Sequence, residues 1–112
     1  MIEKILRDYL MLALSTDVYI DRHDASGEYV VIEKTGSDRT NMIDSATVAI
    51  QSYADSMFNA ATLNESVKTA MYNAVTLSEI ASVNLNSDYN YTDTTTKKYR
   101  YQAVFDVVYY GG

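Results

Sequence analysis

The chain has no cysteine, no proline and no tryptophan, and it carries four glycines and one histidine in 112 residues. Absent cysteine removes disulfides, thiolate metal ligands and cysteine nucleophiles together, so packing alone must hold the fold. Absent proline leaves the turns to Gly, Asn, Asp and Ser. A zinc centre wants three or four convergent ligands, and a lone histidine does not supply that set. His23, in Asp21-Arg22-His23-Asp24, therefore reads as a solvated turn residue. Basic residues are few, 9 against 15 acidic ones, for a formal net charge of −6. That balance opposes general nucleic-acid binding, which needs cations to displace phosphate counterions. It equally opposes an anionic membrane surface.

Long apolar runs are missing too. Residues 9–14 are apolar, but Glu3 and Asp8 precede them where a signal peptide would be basic. The run is far too short to span a bilayer. A cytosolic amphipathic helix with no membrane partner is expected.

The motifs of catalysis are equally scarce. Gly27 and Gly36 stand alone as expected turn glycines, and Gly111-Gly112 reads as a flexible end, so no phosphate-cradling loop is expected. No serine sits in a nucleophile elbow. The carboxylates are spread singly. The expectation is a protein that is not an enzyme and takes no cofactor or metal. Lys97, Lys98 and Arg100 form a small basic cluster beside tyrosines. Such interleaving can bind single strands, but the cluster is short and the chain acidic.

What is present is tyrosine: eleven, against two phenylalanines. Its apolar ring and polar tip suit half-exposed strands and late-forming interfaces alike. Ile2, Ile5, Leu6, Tyr9, Leu10, Leu12 and Ala13 recur at helical spacing, predicting a first helix that ends near Ser15. Residues 17–22 and 28–34 read as strands joined into a hairpin through 23–27. Residues 37–45, with Asp38, Arg39, Asn41 and Asp44, read as a long polar loop. Residues 47–53 form a third strand. Asp55 is the expected N-cap of a second helix with the stripe Ala60, Leu63, Val67, Ala70, Met71 and Ala74. Thr62-Leu63-Asn64-Glu65 has capping-box form and marks a second place for that helix to start or break. Val83, Leu85, Tyr89 and Tyr91 alternate with polar residues; Tyr99, Tyr101, Ala103, Phe105, Val107 and Tyr109 do so again after a polar tip. These runs predict a long C-terminal hairpin. The fold class expected is α+β: a mainly antiparallel sheet with two helices packed on one face, order α-β-β-β-α-β-β, in one domain spanning 1–112.

Four strings carry a resemblance. They are Glu28-Tyr29-Val30-Val31-Ile32-Glu33-Lys34-Thr35-Gly36, Ala49-Ile50-Gln51-Ser52-Tyr53-Ala54, Leu85-Asn86-Ser87-Asp88-Tyr89-Asn90-Tyr91-Thr92-Asp93, and Lys98-Tyr99-Arg100-Tyr101-Gln102-Ala103-Val104-Phe105. In these strings, in size and in element order the chain resembles tail terminator (tail-completion) proteins of long-tailed bacteriophages and prophages. The resemblance implies a virion protein at the head-proximal end of the tail, made in the host cytoplasm. It implies a hexameric ring that caps the tail tube, stops its polymerisation and offers the head a docking surface. The implied partners are other copies of the chain, the major tail tube protein and a head-completion or connector protein. DNA would pass through the lumen without specific binding. The alternatives are a connector of the same joining region and a small adaptor module. No matched motif assigns interface residues; protrusion and polarity select Asp38, Arg39, Asn41 and Asp44 in one region and Asp93, Lys97, Lys98 and Arg100 in another.

Overall fold

A computed structural model describes residues 1–20, 27–41, 43–93 and 98–110. The first helix, α1 (Ile2–Leu14), buries Ile2, Leu6 and Leu10, one residue per turn on one face. Leu12 and Ala13, expected on that face, point outward; Leu12 is 85% exposed. A step of two residues rotates the side chain by more than half a turn, so Leu12 cannot share a stripe with Leu10. Ser15 takes the left-handed conformation, φ 53°, and its N–H donates to the Met11 carbonyl, which closes the helix.

The chain then forms β1 (Val18–Tyr19), far shorter than the expected strand 17–22. It pairs with β2 (Tyr29–Thr40) in parallel, Val18 beside Val30. The expected first hairpin is therefore corrected. Helix α1 delivers the chain at the end of the sheet where β2 begins, so both strands leave that end together; residues 21–22 of the expected strand and 23–26 of the expected turn lie outside the described residues.

The larger correction concerns residues 37–45. Instead of a loop, they extend β2 and β3 (Ile43–Ala54) into one continuous antiparallel ladder, with Asp38 opposite Ser45, Arg39 opposite Asp44 and Thr40 opposite Ile43. Asn41, φ 52°, supplies the left-handed residue of the turn, a conformation that Asn tolerates well. Polar side chains do not forbid a strand when the backbone is well paired. Here the far side of β3 is held by β5 (Tyr99–Tyr110), Asp44 against Tyr109 and Ile43 against Tyr110, and Tyr109 is paired in turn with Ile80.

Ser56, not the expected Asp55, caps α2 (Met57–Asn73) by accepting the Asn59 N–H at 3.1 Å. Asp55 is one residue too early for its side chain to reach the first free amides. The capping-box string lies inside the helix, where Thr62 donates to the Phe58 carbonyl at 2.9 Å. A short 3₁₀ turn, Ala74–Thr76, leads to β4 (Ile80–Asn90), the outer partner of β5. Among the described residues the sheet has five strands in the order β1-β2-β3-β5-β4, antiparallel except for its first pair.

Both helices share one core with a single face of this sheet. Val30, Ile32, Val48, Ile50, Ala103, Phe105 and Val107 meet Leu6, Leu10, Val67 and Met71 there. Each of these side chains other than the Ala103 methyl contributes about 1.5–3 kcal/mol on full burial. The architecture is the α+β arrangement anticipated above, C-terminal hairpin included. It is elongated, 44 by 24 by 21 Å.

Candidate assembly surfaces

The face of the sheet turned away from the helices is built by register. Residues paired across strands point to the same side. Tyr29 pairs with Tyr53 and Tyr53 with Arg100; the Arg100 carbonyl in turn accepts the Tyr91 N–H at 2.9 Å. The adjacent row runs Tyr19, Val31, Gln51, Gln102, Tyr89. Together these rows make a belt across all five strands.

Its contacts are specific. The Tyr29 and Tyr53 rings stack at 4.5 Å, and Tyr19 meets Tyr29 edge-on at 6.0 Å. Gln51 donates to Gln102 at 2.9 Å, Gln102 donates to the Tyr89 hydroxyl at 2.6 Å, and the Tyr53 hydroxyl donates to Gln51 at 3.1 Å. Both glutamines are buried, 9% exposed each, so these bonds replace water that they have lost. Arg100 lies over Tyr91 at 4.3 Å and Tyr53 at 5.7 Å, donating from Nε to the Tyr91 carbonyl and from Nη1 to the Tyr53 hydroxyl.

A bulge decides which tyrosines join the belt. Register shifts by one residue between Leu85 and Ser87. Before it, Val83 and Leu85 face the helices; after it, Tyr89 faces the belt and Asp88 turns toward α2. The unbroken alternation expected from Val83 to Tyr91 is thus two half-runs of opposite phase. An extra residue in a strand flips every side chain beyond it. Asp88 then meets Lys68, which also bonds Glu65 at 2.8 Å. These two carboxylates raise the Lys68 pKa.

The candidate residues fall into two groups at opposite ends of the sheet. Asp38, Arg39, Asn41 and Asp44 gather at the tip of the arm. Arg39 grips Asp44 through Nε at 2.6 Å and Nη2 at 3.0 Å. The hydrogen bond to Arg39 lowers the Asp44 pKa, and Asp44 raises that of Arg39 in return. Asp38 accepts the Arg39 N–H at 2.9 Å. At the other end Asp93 and Lys98 form a bridge beside Arg100, and Lys97 lies outside the described residues. A shallow groove on the open face of the arm is lined by Gly36, Asp38, Ser45, Thr47 and Asp106.

Tyr29, Tyr53, Gln51 and Gln102 escaped the sequence reading as a unit. Arg100 was noted among tyrosines, but it packs on Tyr53 and Tyr91, while Tyr101 shares the helix-side row with Ser52 and Val30. Alternation within each strand was the available signal; the register between strands was not. His23 lies outside the described residues, and among those described no group of three or more His, Asp or Glu could hold a metal ion. No described helix is long and apolar enough to cross a membrane.

Two edges of the sheet have no strand beside them among the described residues. One is the outer side of β4; the other is β2 beyond Val31, where β1 ends. Bulges interrupt β4 at Ala81 and Asn86 and β2 at Thr35. Comparison of the chain with models of known protein families and with curated proteins gives no match.

Proposed function

We propose that this chain is a structural subunit of a phage tail, a terminator that forms a ring, hexameric by the resemblance, on the end of the tail tube. In that role it stops tube polymerisation and receives the head. The four strings quoted above support the phage assignment. The observation that carries the assembly reading is the pair of unlike edges, on opposite sides of one sheet, that no strand covers among the described residues. A closed ring is made by heterologous contacts, so every protomer needs two different complementary surfaces. The bulges blunt those edges against indiscriminate pairing. Free chains then stay dispersed until a tube end holds several of them in register.

Deleting the gene from its phage tests this reading. The expected outcome is overlong, headless tails beside full, tailless heads. Tails of normal length without heads would assign the chain to a connector instead. Negative-stain images of protein mixed with tube ends should show rings; a chain that stays monomeric there is an adaptor.

A further inference from the structure

Arg100 is a cation whose partners among the described residues are all neutral. It touches two tyrosine rings, a carbonyl and a hydroxyl. Guanidinium offers five N–H donors, and only two are engaged here. Among the described residues no carboxylate pairs with it, although acidic residues outnumber basic ones 15 to 9 in the sequence. The two rings fix the guanidinium plane, so the ordering cost of binding an anion is already met. Tyr89 and Tyr91, each 43% exposed, flank it at the β4 edge.

The opposite end of the same face carries the complement. Asp38 pairs with Ser45 and Ser45 with Val108; the next row is Thr40, Ile43 and Tyr110. Asp38 is exposed, and its carboxylate accepts one backbone N–H. Arg39 does not neutralise it, because Arg39 is committed to Asp44. Ile43 and Tyr110 beside it are 44% and 58% exposed. A carboxylate flanked by apolar side chains thus mirrors a guanidinium flanked by apolar side chains. Asp38 lies opposite Ser45 and Arg100 opposite Tyr53, so at roughly 3.4 Å per residue β3 holds the two roughly 27 Å apart. They cannot meet within one chain.

We infer that Arg100 is the receptor for Asp38 of a second copy of this chain, with Ile43 and Tyr110 of that copy packing against Tyr89 and Tyr91. The inference rests on the self-assembly part of the proposed function and names the contact. Carboxylate and guanidinium fit as a planar, bidentate pair, and the surrounding rings exclude water from it.

Charge reversal tests it in the full chain. Asp38→Arg and Arg100→Glu should each weaken self-association by about 30-fold or more, as losing one partner of a desolvated pair does, read by sedimentation on protein alone or with tail-tube ends. Each variant alone brings like charges together. An equimolar mixture of the two should recover assembly, because the reversed tip of one meets the reversed receptor of the other and the native pair forms at the next contact. Asp38 is exposed on the arm, so its variant keeps the fold even if Arg100→Glu does not. Wild-type rings that both variants form equally well would overturn this contact and leave the terminator reading standing. A wild-type chain that never associates, even on tube ends, would remove both. Binding of a labelled oligodeoxythymidylate to wild type but not to Arg100→Gln, with assembly unchanged, would reassign the site to nucleic acid.

Discussion

The two faces of one sheet solve burial differently. Against the helices the interior is aliphatic and aromatic, centred on Phe105, which is fully buried, and it needs no directional bond. On the opposite face burial comes with polar atoms, and Gln51, Gln102, Tyr53 and Tyr89 are each placed by a hydrogen bond. The first face supplies stability and tolerates repacking. The second is sensitive to geometry, since a lost partner leaves a buried amide stranded.

Three substitutions grade this contrast. Phe105→Ala should have the largest effect, a loss of about 3–5 kcal/mol in denaturant unfolding, because it opens a cavity under both helices. A loss below 1 kcal/mol would mean that the helix side is loosely packed. Gln102→Leu should cost about 1–3 kcal/mol, since it strands the buried Gln51 amide and removes the donor to Tyr89. If Gln102→Leu proved neutral while Phe105→Ala did not, the belt would be ordinary surface.

The smallest effect belongs to the arm. The folded pKa of Asp44 is lowered, so its bond to Arg39 is present above the ordinary value of 3.8 and lost as pH falls through the lower folded value. Acid should therefore lower amide-exchange protection factors, taken against the intrinsic rate at each pH, at the arm tip before those of the core. In Asp44→Asn that difference should vanish with the melting midpoint unchanged, because an exposed pair adds little.

The site divides between legible and hidden parts. Asp38, Arg39, Asn41 and Asp44 were visible as a protruding polar stretch, and they do lie together at one end. Their strand pairing was invisible, because no alternation of apolar residues marks it and β5, more than fifty residues later, holds it in place. Arg100 was visible as a charge; its clamp was not, because Tyr53 reaches it only through the β3–β5 register. The bulge at Asn86 left no signature either, since one extra polar residue in an alternating run reads as continuation.

Composition and periodicity by themselves determined the class of this protein: a cysteine-free acidic chain, two amphipathic helices and an antiparallel C-terminal hairpin on one core. Those properties are local or additive, so each residue reports its own share. Which side chains meet on the open face was decided only by tertiary structure. Strand order and register are collective, and a single inserted residue reverses everything downstream of it.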